Sequence, residues 1–243
     1  MTKPYYSHGG IEIYHGDCLQ LLRAGVIPGP FHAVVTDPPY ASGARTDAGK
    51  QTAGGWKGTG SRFNKNPIEN DQMTTTGFVW FMRELCLECV PLLEIGGAFV
   101  SFIDWRQWPN LVGAVESCNL RVSGMLVWDK ISAGLGNGFR SQHELALVSS
   151  RGTLEVYNRS KGNVIQHKRD DNSLHPTMKP LKLMSEILEV VAPVGGRVLD
   201  PCCGAGATLR AAADLGIGAV GIDVSERHCE TAAERLRQGV LFS

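Results

Sequence analysis

The sequence predicts an α/β protein built on one doubly wound, mostly parallel sheet. Three observations carry that expectation. Short apolar or β-branched runs alternate with stretches of helical spacing along most of the chain. The runs at Val34-Val35-Thr36, Val198-Leu199 and Val220-Gly221-Ile222 each end on a carboxylate: Asp37, Asp200 and Asp223. The first two carboxylates are followed at once by proline, which stops a strand. In open α/β sheets, ligands sit at the carboxyl ends of strands.

The elements follow in order. Ile11-Glu12-Ile13-Tyr14 alternates and reads as a strand, ended by Gly16-Asp17. Residues 18–24 form a short helix carrying Leu19, Leu21 and Leu22. A turn-rich link leads to a strand over 32–36. The spacing of Phe78, Phe81, Met82, Leu85, Cys89 and Leu92 predicts a helix over 77–93, broken by Gly96-Gly97. A buried strand over 98–103 comes next, then a helix over 105–118 that is regular after Pro109. Strands over 124–128 and 144–149 flank a glycine-rich loop at 131–139. Residues 180–191 are amphipathic, with Leu181, Met184, Ile187, Leu188 and Val191 on one side. A strand over 196–200, a helix over 207–215 and a strand over 219–222 follow, and Ser225 caps a last helix to Arg237. The strands at Val198 and Val220 are expected beside the one at Ile11.

The 243 residues fit one domain, 1–243, with two polar segments inside it. Residues 41–76 hold almost no aliphatic side chains. Within them Arg45, Lys50, Lys57, Arg62 and Lys65 stand against the single acid Asp47 between Ser42 and Asn66, with Trp56 and Phe63 interleaved. This is either a nucleic-acid contact that orders on binding or a solvated loop. Residues 151–174 carry Arg159, Lys161 and Lys168 and are either a small recognition element or an ordinary connection. Formal net charge is zero, so no global field draws a polyanion. The seven cysteines are irregularly spaced, as in a reduced, intracellular chain. Cys86-Leu-Glu-Cys89 lies in a helical pattern with no second pair at zinc spacing, so core packing is expected and no metal. No apolar run spans a membrane and no signal peptide is evident, so a cytoplasmic protein is expected.

Asp37-Pro38-Pro39-Tyr40 puts a carboxylate and an aromatic ring on a stiff frame at a strand end. Ionised Asp37 only accepts hydrogen bonds, the proline carbonyls are acceptors, and Tyr40 offers a flat face. A planar exocyclic amine would meet acceptors at its edge and a ring on its face. By itself the block is equally a strand ending in a proline turn. Asp200 to Gly206 reads as strand, small-residue turn and helix. Its glycines allow close approach of a ligand, and the helix start offers free N–H groups. Asp223 ends the next strand about twenty residues later, where an acid commonly holds a ribose diol. Gly204-x-Gly206 lacks the third glycine of a dinucleotide fingerprint. The adenosyl group of S-adenosylmethionine, which carries no phosphate, fits better than a pyrophosphate.

Asp37-Pro38-Pro39-Tyr40, His175-Pro176-Thr177-Met178-Lys179-Pro180 and Asp200-Pro201-Cys202-Cys203-Gly204-Ala205-Gly206 together resemble the signature blocks of amino-group DNA methyltransferases. The catalytic block precedes the cofactor block, which resembles the circularly permuted β group. The resemblance covers nearly the whole chain. It implies a Rossmann-like, S-adenosyl-L-methionine-dependent methyltransferase fold acting on a base flipped out of double-stranded DNA. Asp37, Pro38, Pro39 and Tyr40 would hold and stack the target. Asp200, Gly204 and Gly206 would line the methionine part of the cofactor, Asp223 its ribose and Asp17 its adenine side. Thr177 and Lys179 would close over its amino-acid end. Cys18, Asp37, Cys202, Cys203, Ala207, Thr208 and Val224 would complete the pocket.

Cys202 departs from the family, where Phe is usual, and Ala205 stands where Ser is common. Asp before Pro-Pro goes mostly with adenine N6 in that family, and cytosine N4 is the alternative. A non-catalytic DNA-binding protein on the same scaffold is the rival from another class. Two-fold dimers are frequent in the group, and nothing in the residues fixes one here.

Overall fold

The computed structural model describes residues 3–39, 73–134, 137–168 and 178–240. The chain runs β1 (Tyr6–His8), β2 (Ile11–His15), α1 (Cys18–Arg23), β3 (Phe31–Thr36), α2 (Thr75–Cys89), β4 (Leu93–Ile103), α3 (Trp108–Glu116), β5 (Arg121–Asp129), β6 (His143–Ser150), β7 (Val164–Gln166), α4 (Leu181–Val191), β8 (Arg197–Asp200), α5 (Ala207–Asp214), β9 (Gly218–Asp223) and α6 (Glu226–Val240). The strands form one sheet in the order β1-β2-β9-β8-β3-β4-β6-β5-β7. Pairing is parallel from β2 through β9, β8 and β3 to β4, and again between β5 and β7. It is antiparallel at β1–β2, β4–β6 and β5–β6. The strands nearest the C-terminus therefore lie between β2 and β3, as the order of the sequence blocks implied.

The sheet is doubly wound because its inner strands are apolar on both faces. Ala33 and Val35 of β3 pack with Leu183, Met184 and Ile187 of α4, Leu209 of α5 and Ala232 of α6. Val34 faces the other way, toward Leu19 and Leu22 of α1, Phe78 and Met82 of α2 and Leu111 of α3. Alternate side chains of one strand thus enter two different cores. Cys86 and Cys89 are fully buried in the second.

Two boundaries differ from the sequence reading. Gly96-Gly97 does not precede β4 but lies inside it, since β4 starts at Leu93. The register jumps between Phe31↔Leu93 and Ala33↔Ala98, so the glycines mark an irregularity in a continuing strand. A Cβ on Gly97 would lie 3.1 Å from the His32 carbonyl, a close backbone approach that only glycine permits comfortably. The helix expected over 105–118 starts as a 3₁₀ turn at Trp105–Gln107 and becomes α3 with Pro109 in its first turn. Among the described residues no helix is long and apolar enough to cross a membrane.

Candidate active site

Three adjacent parallel strands deliver three carboxylates to one edge. β3 and β8 pair in the register Ala33↔Val198 and Val34↔Leu199, so both chains leave the sheet on the same side, at Asp37 and just after Asp200. β8 and β9 pair with Asp200 opposite Gly221, which sets Asp223 at the same edge. β2 follows with His15 opposite Asp223, and Asp17 comes two residues later. Asp37 and Asp223 both raise the proton affinity of Asp200, as close like charges do.

Asp200 is 3% exposed. Its Oδ2 accepts a 2.5 Å hydrogen bond from the Thr208 hydroxyl and its Oδ1 a 3.1 Å bond from the Cys202 N–H. Burial pushes its carboxyl up to about 7, against the pull of those two bonds. The turn beyond it is shaped by Gly204 at φ +51° and Gly206 at φ +75°. A Cβ on Gly204 would meet nothing within 4 Å, so the turn is open on that side. A Cβ on Gly206 would lie 2.8 Å from that of Ala232, so the glycine lets α6 pack against the turn. Ala207 and Thr208 are buried in the first turn of α5.

Asp223 closes the far wall. Its Oδ2 accepts from the Gly204 N–H at 2.9 Å and its Oδ1 from the Ser225 N–H at 2.8 Å. Val224 is exposed beside it. Asp17 caps α1, accepting from the Gln20 N–H at 2.9 Å. The thiol of Cys202 is pushed well up by its hydrogen bond with Cys18 and by burial. Cys203 is buried, with its N–H on the Ile222 carbonyl at 2.9 Å. The structure thus brings Asp17, Cys18, Asp200, Cys202, Cys203, Gly204, Gly206, Ala207, Thr208, Asp223 and Val224 around one edge of the sheet.

Asp37 stands next to this group directly after β3, followed by buried Pro38. Its Oδ2 lies 2.5 Å from Lys179 Nζ. Lys179, expected at the cofactor's amino-acid end, has its ammonium on the Asp37 carboxylate. Glu144 Oε2 lies 3.2 Å from the same nitrogen. Lys130 Nζ is 2.6 Å from Glu144 Oε1. Burial raises Glu144, but Lys179 and Lys130 outweigh it and hold the carboxyl at about 2. Burial raises Asp37 above the usual carboxylate range, opposed chiefly by Lys179.

Glu144 and Lys130 were missed in the sequence. Their signal was a charged residue at each end of apolar strands: Lys130 directly after β5 and Glu144 in the second position of β6.

Tyr40, Thr177 and the basic residues Arg45, Lys50, Lys57, Arg62 and Lys65 lie outside the described residues. Arg159, Lys161 and Lys168 are exposed. Lys161 is bound to Glu186 and Glu189 of α4, and neighbouring Asn158 also contacts Glu189. That places Arg159 and Lys161 along α4, away from its Lys179 end. Lys168 follows β7, whose Gln166 pairs with Asp129 opposite His143, and so returns toward the edge that carries Glu144.

A carboxylate-Pro-Pro block beside a nucleoside-type glycine turn, on neighbouring strand ends of a Rossmann-like sheet, is the layout of an amino-group methyltransferase. The comparisons with known proteins define the family. Residues 31–234 match the family model N6_N4_Mtase, described as DNA methylase. The chain belongs to that family of DNA methyltransferases, which act on adenine N6 or cytosine N4. It is 24% identical over 270 residues to the type II methyltransferase M2.LlaDCHI of Lactococcus lactis subsp. cremoris, covering 100% of this chain and 95% of that protein. The fold matches the crystal structure of an M1.HpyAVI-SAM complex with TM-score 0.69 and 22% identity, over 93% of this chain and 99% of that one. It also matches the cytosine-N4-specific PvuII DNA methyltransferase, with TM-score 0.75 and 15% identity, over 96% of this chain and 89% of that one.

Proposed function

We propose that the protein transfers a methyl group from S-adenosyl-L-methionine to the exocyclic N6 of an adenine flipped out of double-stranded DNA. The observation that carries this reading is the placement of Asp37 and Asp200 on adjacent strand ends at one edge. The chemistry of the Asp200 site fits the cofactor. Its carboxyl is buried, sits at about 7 and, among the described residues, is held by a hydroxyl and a backbone N–H rather than a cation. Such a group favours a positively charged ligand, and S-adenosyl-L-methionine is a cation. Asp200 and the Gly204–Gly206 turn would hold its methionine part, Asp223 its ribose, and Asp17, Cys18 and Val224 its base. When bound, it supplies a methyl group on a sulfonium.

The residues of this chain act on the target amine. Its lone pair is delocalised into the ring, so it is a weak nucleophile. Asp37 and the Pro38 carbonyl accept hydrogen bonds from its N–H groups, favour a pyramidal nitrogen and stabilise the positive charge that develops there, and the surplus proton leaves to water after transfer. Tyr40 stacks on the extruded base, whose removal from the duplex costs about a few kcal/mol. The basic residues Arg45, Lys50, Lys57, Arg62 and Lys65, with Lys168, grip phosphates around it. Asp before Pro-Pro favours adenine over cytosine.

The test is methyl transfer from labelled S-adenosyl-L-methionine to duplex DNA, with the modified nucleosides separated by chromatography. N6-methyladenine is the expected product. N4-methylcytosine would replace the base assignment, and cofactor and DNA binding without transfer would favour a binding module.

A further inference from the structure

Asp37 is one end of a row of alternating charges. Lys179 Nζ lies 2.5 Å from Asp37 Oδ2 and 3.2 Å from Glu144 Oε2, and Lys130 Nζ lies 2.6 Å from Glu144 Oε1. Separate parts of the chain supply the row: the end of β3, the residue before Pro180 and α4, the start of β6 and the end of β5. β6 runs antiparallel to β4, so its first residues reach the edge where the parallel strands end. The side chains of Lys179 and Lys130 are only 6% and 10% exposed. Their ammonium groups also lie over the rings of Phe102 at 4.8 Å and Trp128 at 5.3 Å.

Buried ion pairs contribute little to stability, because removing each ion from water costs several kcal/mol. Their geometry is the more informative property. Lys179 engages Oδ2 of Asp37 and leaves Oδ1. That oxygen is buried and has no hydrogen-bond partner among the described residues. A buried acceptor left without a donor costs about 1–3 kcal/mol, so the atom is suited to a donor that arrives with a ligand.

We propose that Lys179, held in place by Glu144 and Lys130, is a positioning residue that keeps Asp37 ionised and turns its Oδ1 toward the target amine. This rests on the methyl-transfer reading above and deepens it. Among the described residues, the charged groups facing Asp37 are Lys179 and Lys130, which favour its ionised form, and Glu144 and Asp200, which oppose it. Removing Lys179 and removing Glu144 must therefore move the titration of Asp37 in opposite directions. A purely structural role for either residue produces no such pair of shifts.

The experiment titrates Asp37 directly in the full-length chain, using carbon-13 at aspartate Cγ and NMR, with the signal identified by its loss in D37N. In K179M the midpoint rises by about 1–3 pH units, the usual effect of losing an opposite charge at contact distance. In E144Q it falls, and in K179R it stays close to wild type. If K179M does not fold, E144Q and K179R decide: in E144Q the amide oxygen still accepts from Lys179 while the charge is gone, so a midpoint there that stays or rises overturns the proposal. An unmoved midpoint in folded K179M overturns it too. The acid limb of kcat for methyl transfer follows the NMR midpoint in each variant. Should the midpoints move as stated while wild type transfers no methyl group to DNA, the positioning role stands and the functional reading falls. Should wild type transfer and the midpoints not move, the reverse holds.

Discussion

Asp37 and Asp200 end neighbouring strands, yet the protein treats their charges in opposite ways. Asp37 is opposed by two lysines in a row whose formal charges cancel. Asp200 is given a hydroxyl and a backbone N–H, which orient it without supplying positive charge. The difference teaches where the missing charge must come from. At Asp37 the cation is part of the chain, and the ligand need only present hydrogens. At Asp200 the hydrogen-bond partners among the described residues carry no charge, and the proposed cofactor would bring the cation.

The contrast is broken most severely at Asp37. Asp37→Ala lowers kcat for methyl transfer by about 100-fold or more, the scale set by losing one preorganised electrostatic contact. Its cofactor affinity, read by calorimetry, changes much less than its kcat. Asp200→Ala does the converse and raises the Kd for S-adenosyl-L-methionine by about 30-fold or more, the cost of truncating one partner of a buried charge pair.

Protonation sharpens the same contrast in the wild type. A cation binds ionised Asp200, whose carboxyl sits at about 7 in the free protein. Cofactor affinity is therefore flat above that pH and falls about tenfold per pH unit below it. Glu144 has the opposite sign for stability. Its carboxyl is lowered from 4.5 to about 2, so its contribution is full above 4.5 and is lost as the pH falls through about 2. Acid unfolding of wild type and E144Q, compared by circular dichroism, reads that window directly.

Smaller effects come from the turn that frames Asp200. Gly206→Ala forces a left-handed backbone and a contact with Ala232 that cannot form. It destabilises the fold by about 1–3 kcal/mol, visible as a lower Tm. Thr208→Val removes one hydrogen bond from Asp200 and weakens cofactor binding by about 1 kcal/mol, or roughly fivefold. The mildest prediction concerns DNA. Lys168→Gln reduces the salt dependence of DNA binding by about one phosphate contact, and Lys161→Gln leaves it unchanged.

Much of this site was legible because its residues are local in sequence. Asp200, Gly204, Gly206 and Thr208 fall within one turn and helix start, and strand spacing alone sets Asp223 beside them. The row from Asp37 to Lys130 is different. Lys179 is 142 residues from Asp37 in the chain. No periodicity links it to Glu144, which looks like an ordinary member of an apolar strand. Only the reversal of β6 brings that carboxylate to the edge, and strand direction is not encoded in a short apolar run. Gly96-Gly97 shows the same limit on a smaller scale. Two glycines mark a local irregularity, but whether the chain breaks or bulges there depends on the neighbour, β3.

The placement of β8 and β9 between β2 and β3 has a consequence for synthesis. While the ribosome is still producing α4, β3 can pair with β4, but its opposite side has no neighbour. β2 is in the same position, waiting for β9. The β3–β4 side of the Asp37 edge is thus assembled first. The edge that carries Asp200 and Asp223 closes only when β8 and β9 have emerged, so the proposed cofactor pocket cannot form before them.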